Sequence, residues 1–435
     1  MMKKLGRLSV LIIALGMLVS GCKESSGENG KEEQVTNGEI TEAMEDINNN
    51  SVEEIVDSND TENYVEIDIV DLSNSVKDFS YGKGWYLDNS SGEWNCIDIE
   101  GNVLFSLPFG YEPVGGYIQN LCLIQREGYK KIIIDEGGNQ VFADMATGDN
   151  EILMLSENSG KINIWIRIIK DTYDGHSEIL RVIDGEGMTV SEYTSLSGLP
   201  FDSINGPNGS QLRDLGEGMY QCGAYIFNTN NNSCFRYEDN AGLIEDVLNF
   251  EDGYGIGKDG KIIDSNGAVC FTNSNRAKVG NYREGLYFVG YWEEIFITGK
   301  YYGTYRGAFY DVNGQVELDV SQYALENIPF FEEGYCVMNI LNEAGVTFTA
   351  VMDRNGEFLF EPVEGQRNVE ISEEIIVVNG DLIQIYDLKQ NTINTLDENI
   401  KWVDAFSDGW AVFGLSSGNK GFIDKNGNRL KIKVN

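Results

Sequence analysis

From Tyr64 onward the apolar residues come in short runs, such as WVDAF, WAVFGL, KGFID and RLKIKV near the C-terminal end, broken by Gly, Asp and Asn. No segment beyond Asn63 sustains a 3.6-residue apolar period with capping residues, so the pattern predicts short strands rather than helices. The runs also repeat. Two apolar residues, Asp, two variable residues and Gly recur as CIDIEG (Asp98), IIDEGG (Asp135), VIDGEG (Asp184), IIDSNG (Asp264), FYDVNG (Asp311), VMDRNG (Asp353) and FIDKNG (Asp424), with degenerate copies at Asn228 and Asp387. The nine anchors are spaced by 37, 49, 44, 36, 47, 42, 34 and 37 residues, a mean near 41. A period of about 40 to 45 with several short strands per unit is the propeller range. The fold expected is all-β, a tandem array of β-meanders that is propeller-like, with an open β-solenoid as the alternative. Nine units exceed the usual four to eight blades. Either two weak units merge, therefore, or the array stays open.

The anchors read as turns. In each copy the apolar pair before Asp and the pair soon after Gly, such as Val103 and Leu104 or Phe358 and Leu359, are strands around a tight connection. The Asp side chain can accept backbone N–H groups, while Asn and Gly tolerate positive φ. Calcium loops are the functional alternative. Gly falls at the fourth position rather than the sixth, and no Glu keeps a fixed twelfth place, so Asp98, Asp135, Asp184, Asp264, Asp311, Asp353 and Asp424 are read as structural turns and no metal is expected.

A second element precedes most anchors: FSYG (79–82), LGEGM (215–219), FEDGY (250–254), YREGL (282–286), FEEGY (331–335) and FSDGW (406–410). Its glycine is expected to let an aromatic ring approach the backbone, with that ring filling the space between units. Phe406 to Leu430, FSDGWAVFGLSSGNKGFIDKNGNRL, resembles a unit of the bacterial WG-repeat (KWG-type) family, and Phe331 to Phe360 is the next clearest copy. The resemblance covers about Phe79 to Lys431. It implies a repeat architecture and a surface location, and it brings no catalytic residues with it.

Ahead of the array, MMKKLGRLSVLIIALGMLVSGC has a basic start, an apolar run from Leu8 to Val19 and small residues before Cys22. This is the pattern of an export signal. The run falls short of the roughly 20 residues needed to span a bilayer. Val19 to Cys22 resembles a bacterial lipobox, which implies cleavage after Gly21 and lipid on the Cys22 sulfur. Residues 1–21 are then a signal peptide. Residues 22–63 carry 13 acidic residues against Lys23 and Lys31 and no aromatic. Such a segment buries too little apolar surface to order itself, and it reads as a disordered acidic linker. Residues 64–435 form the repeat domain.

Charge narrows the partners. With 70 acidic and 32 basic residues the formal charge is −38, and loss of the signal peptide takes it to −41. A polyanion is repelled by such a chain, so nucleic acid is excluded as a partner. The 50 Gly against 6 Pro suit many tight hairpins. Beyond Cys22 the six cysteines, at 96, 122, 222, 234, 270 and 336, show no CxxC or metal-finger spacing. They read as small buried hydrophobes, with a Cys222 to Cys234 bridge as the minority alternative.

Candidate chemistry is sparse. His176, the single histidine, lies in the polar stretch DTYDGHSEI and reads as a solvated loop residue. Acid pairs for glycoside hydrolysis are unavoidable among 70 carboxylates and carry no signal. No nucleotide fingerprint is present, and no cofactor is expected. One stretch departs from the repeat: GYWEEIFITGKYYGTYRGAFY, with Tyr291, Trp292, Phe296, Tyr301, Tyr302 and Tyr305. Aromatics on a protruding hairpin can stack on sugars or anchor a protein, and the competing reading is that alternate members pack inward. The function expected is that of a lipoprotein anchored on the extracytoplasmic face of a bacterial membrane, which binds a protein or glycan without catalysis. The rivals are a propeller-type glycan hydrolase, marked by a central pocket of carboxylates, and a purely structural envelope component.

Overall fold

A computed structural model describes residues 64–434, apart from 147, 149, 173–174, 195–211, 238–246, 258–259 and 274–276. The signal peptide, the linker and Cys22 lie outside the described residues. The described residues fold into nine β-meander blades: residues 76–106, 111–141, 151–194, 213–236, 247–272, 277–319, 324–364, 368–395 and 400–430. Blades 1 to 5 and 8 are four-stranded antiparallel sheets, and blades 6 and 7 are fused into one larger sheet. The fold is a β-propeller. Both weak units, those of Asn228 and Asp387, make full four-stranded blades, so the expected merger of weak units does not occur. Packing between blades demands strands of the right period, and the third-strand anchor can degrade without losing that.

The core lies between blades, as nine buried clusters that each join one blade to the next. The ninth decides the architecture. Phe79, Tyr86 and Ile97 of blade 1 pack with Val412 and Phe422 of blade 9 and with Ile432, the Phe79 and Phe422 rings meeting edge-on at 4.7 Å. The ring is therefore closed, and the open-array alternative is set aside.

The two ends of the domain make this seam. Val65–Asp68 pairs antiparallel with Lys431–Val434, with Ile67 opposite Ile432. The first strand is shorter than the apolar alternation over 64–70 suggests, because the Asp68 carboxylate accepts the Val70 N–H at 3.1 Å and caps a four-residue helix, Ile69–Leu72. The last strand leaves blade 9 after Leu430 and reaches blade 1, where Lys433 N–H donates to the Gly101 carbonyl at 3.3 Å. A Cβ at Gly101 would overlap the Lys431 carbonyl.

Two turns set the blades. Each anchor aspartate spans the turn between the third and fourth strands: Asp353 Oδ1 accepts the N–H groups of Asn355 and Glu357, both at 2.9 Å, and Asp98, Asp135, Asp184, Asp264, Asp311 and Asp424 make the same pair of bonds. Only the motif glycine takes positive φ there, for example Gly356 at 84°. The asparagine instead uses its side chain, Asn355 Nδ2 donating to Asp353 Oδ2 at 3.1 Å. Between the first and second strands every blade has a non-glycine residue at φ near +50°: Tyr81, Gln119, Ser159, Glu217, Asp252, Glu284, Glu333, Glu373 and Asp408. Such hairpins turn in the sense that matches strand twist.

The glycine expectation needs correcting here. Gly82, Gly253 and Gly409 take positive φ with open space around the missing side chain, so they are turn residues. The close approach falls two positions later: a Cβ on Gly84 would lie 2.8 Å from the Phe79 ring, and one on Gly255 2.6 Å from the Phe250 ring. The motif aromatics themselves, Phe79, Phe250, Tyr282, Phe331 and Phe406, are buried between blades.

The acids of these turns tie the ring together. Glu217 accepts the N–H groups of Asp252 and Gly253 in the next blade at 2.9 and 2.8 Å. The pattern continues from Glu251 to Glu284, Glu284 to Gly334, Glu333 to Glu373 and Glu374, Glu373 to Asp408 and Gly409, and Asp408 to Gly82. Carboxylate acceptors strengthen such bonds. Blades 1 to 3 carry Tyr81, Gln119 and Ser159 at the same position.

Candidate functional site

An antiparallel meander puts its first–second and third–fourth turns on one face and its second–third turns on the other. Two second–third hairpins stand out on that second face. Blade 6 extends over Tyr287–Ile297 and Lys300–Tyr310, and blade 3 over Lys161–Thr172 and Gly175–Ile183, against four to six residues per strand in blade 1. The blade 3 hairpin was not singled out from sequence, although the 49-residue interval before Asp184 signals it as plainly as the 47-residue interval signals blade 6. His176 sits on this hairpin, paired with Asp171; it belongs to a strand and not, as expected, to a loop.

Cross-strand register sorts the blade 6 aromatics onto two faces. Trp292 stands opposite Tyr305, Glu294 opposite Gly303 and Phe296 opposite Tyr301, and these share one face; Tyr291 with Arg306 and Ile295 with Tyr302 share the other. Near the hub, side chains of the first face pack into the blade 6–7 core, where Phe288, Phe309 and Tyr305 meet Phe331. Farther out they emerge. Trp292, Phe296 and Tyr301 are 54, 61 and 68% exposed and Tyr291 is 49% exposed, while Tyr302 and Tyr305 are half-buried. The structure thus divides the expected set, with packing at Tyr302 and Tyr305 and exposure at Tyr291, Trp292 and Tyr301.

The hairpin is buttressed at its base. Tyr305 pairs with Leu325 of blade 7, Arg306 donates to the Ser321 and Gln322 carbonyls at 2.9 and 3.2 Å, and Tyr302 Oη and Ile297 Cγ2 lie 2.8 and 3.4 Å from where a Cβ on Gly345 would stand. Phe296 and Tyr301 meet at 4.8 Å between ring centroids. The Trp292 indole lies across Gly303, whose Cβ would fall 2.9 Å from Nε1. The seam at Gly101 belongs to a third–fourth turn, so the chain enters the propeller by the opposite face from the hairpin.

A second constellation sits at the hub. The first strands are innermost: those of blades 4 and 5 approach so closely that a Cβ on Gly216 would lie 2.6 Å from the Phe250 carbonyl oxygen. Asp78 and Glu370 lie on the first strands of blades 1 and 8, and Asp404 directly follows the first strand of blade 9. Asp404 keeps solvent exposure, yet desolvation by the protein around it, with repulsion from Asp78 and Glu370, pushes its carboxyl up to about 6, and the Lys420 charge works against this. Burial also raises Glu370, despite a 2.8 Å bond from Asn368 Nδ2. In blade 4, burial pushes Asp214 up to about 6, while its bond from Gly216 N–H opposes the shift.

Among the described residues, no grouping of three or more His, Cys, Asp or Glu is placed to hold a metal ion. Cys222 pairs across with Tyr225 and Cys234 with Phe227; both are free thiols, as are Cys96, Cys122, Cys270 and Cys336. The Cys222 to Cys234 bridge is therefore not formed. Cys270 is exposed, against the expectation of burial, because the outermost strand of blade 5, Val269–Thr272, is exposed along most of its length. No described helix is long and apolar enough to cross a membrane.

The fold defines a β-propeller with an aromatic hairpin on one face and acids at its hub. No protein-family model matches the chain, and no curated protein matches it. Among solved structures it is similar to the computationally designed Ika8 protein (14% identity, 70% of this chain and 93% of that one, TM-score 0.39). It is also similar to BamB from Moraxella catarrhalis (11%, 66% and 88%, TM-score 0.34) and to the β-propeller domain of the Trilobed protease from Pyrococcus furiosus (9%, 65% and 96%, TM-score 0.29). At these scores none carries an argument about function.

Proposed function

We propose that the chain is a WG-repeat lipoprotein, held through lipid on Cys22 at the extracytoplasmic face of a bacterial membrane, whose propeller binds a protein or glycan without transforming it. The observation that carries the reading is the exposed aromatic face of the blade 6 hairpin, at Trp292, Phe296 and Tyr301, on the face opposite the chain's entry. A tether entering by one face leaves the other free to meet ligands. Aromatic side chains supply large contact area at low entropic cost.

The test is capture of surface ligands from intact cells by the full chain and by a variant with the exposed Trp292, Phe296 and Tyr301 changed to Ser. Loss of capture with a thermal midpoint close to wild type supports the reading. Full capture by a folded variant defeats it. Collapse of the variant would assign the aromatics to packing, since truncating core aromatics costs about 3–5 kcal/mol.

One observation favours glycan hydrolysis as a second reading: Asp404 is pushed up to about 6 beside two other carboxylates, the arrangement that lets one acid donate a proton while another stays charged. Depolymerisation of an extracellular polysaccharide that disappears in Asp404→Asn would establish it.

A further inference from the structure

The outward face of the blade 6 hairpin is narrow and nearly uncharged, and these properties select its ligand. We infer that it takes a neutral polysaccharide, with sugar rings stacked on Trp292 and on the Phe296–Tyr301 pair. This rests on the hairpin being the binding surface and names what that surface holds.

Size comes first. At the exposures given above, and with aromatic side chains of about 150–250 Å² each, the three rings offer roughly 400 Å² of contact. A specific protein interface needs about 800 Å² per partner. The strip is also only two strands wide, about 5 Å between strand axes, which suits a linear chain better than a globular surface.

Ring presentation comes second. Gly303 stands beside Trp292 without a side chain, so the indole lies across the backbone and keeps its outer face free. A side chain at that point would lift the ring. The aliphatic residues Ile295 and Ile297 are on the other face, Ile297 against blade 7 at Gly345, so the outward face carries aromatic rings, Gly303 and the single carboxylate of Glu294. A sugar ring presents C–H bonds on its face and hydroxyls around its edge. Stacking satisfies the first and Glu294 can accept from the second.

Charge comes third. The chain carries −38, so an acidic polymer is repelled by the whole molecule. A polycation would be drawn to the acidic turns of the opposite face rather than to a strip whose single charge is Glu294; Lys300, at the tip, lies over the Tyr302 ring at 4.8 Å on the other face. A neutral polymer is the chemistry that remains. Trp292 and Phe296, four residues apart on one strand, place the two platforms about 13 Å from each other. A monosaccharide covers one platform and an oligosaccharide both, so affinity should climb with chain length as the second contact becomes intramolecular.

The experiment uses the full chain against cellulose, chitin and unsubstituted mannan, with alginate as the acidic comparison, and oligosaccharides of increasing length for any polymer retained. Trp292 is the most exposed of the tryptophans, so binding should shift tryptophan emission, and Trp292→Phe should keep affinity while removing that shift. Trp292→Ala or the Phe296→Ala, Tyr301→Ala double variant should each weaken binding by about tenfold or more, the loss of roughly one platform, with unfolding unchanged. Retention on none of the three neutral polymers overturns the inference, as does retention that the alanine variants leave intact. Were the same variants to abolish capture of a surface protein, the glycan assignment would fall and the binding surface would stand. Variants that lose no ligand of any kind would remove both. A strip that instead joins two copies of the chain, seen as a dimer that Trp292→Ala dissociates, also overturns the inference.

Discussion

Ring closure can be tested with one methyl-rich side chain. Ile432 lies in the strand that leaves blade 9, is 2% exposed, and packs with Phe79, Ile97 and Phe422 across the seam. Truncation to Ala removes three carbons, at about 0.8 kcal/mol per buried CH₂. A partly unrelaxed cavity adds to this, and the expected cost is about 3 kcal/mol, within the usual range for buried Ile→Ala. The comparison is Ile263→Ala, fully buried between blades 4 and 5 and far from the seam. In an open array each unit answers only to its neighbours and a terminal strand can fray without unfolding the rest. In a closed ring the seam is one of nine equivalent interfaces, and its loss is charged against the whole fold. Urea unfolding of the full chain, followed by circular dichroism and tryptophan emission, should give comparable losses for the two variants. A cost below about 1 kcal/mol for Ile432→Ala, beside a full cost for Ile263→Ala, would refute closure.

Three further outcomes are expected. The Asp404 carboxyl titrates near 6 in the folded ring against about 3.9 unfolded; the folded state then holds more protons between those values, so stability falls as pH rises from about 4 to about 6. Asp404→Asn should show a shallower fall, with Asp214 supplying a share of what remains, and identical melting profiles for the two proteins across pH 4–8 would exclude the Asp404 contribution. Gly255→Ala should destabilise more than Gly253→Ala in urea unfolding, because the first drives a Cβ to 2.6 Å from the Phe250 ring while the second meets open space and pays only for its positive φ; the reverse order would contradict this. Cys22→Ala should lose incorporation of a fatty-acid analogue during metabolic labelling, and labelling as strong as wild type would sink the lipid anchor.

Much of the architecture is legible in the chain because its signals are local. Asp–x–Asn–Gly closes its own turn through bonds from residues two and four positions on, so the period, the strand-rich fold and the count of nine units follow from spacing alone. Other features have no local cause. The acids at Glu217, Glu284, Glu333 and Glu373 read as solvated turn residues, and only the ring shows them accepting N–H groups from the next blade, a contact between positions 35 to 50 residues apart. Asp78 lies hundreds of residues from Glu370 and Asp404 and repels them only because closure brings blade 1 beside blades 8 and 9. The aromatic stretch of blade 6 was visible as composition, but which rings face water was not: strand alternation gives two faces, and the twist of the hairpin against Gly345 and Leu325 decided which of them blade 7 covers. Turns are set by bonds within a few residues, whereas burial and charge coupling depend on what the ring places alongside, and that is a property of the closed tertiary structure.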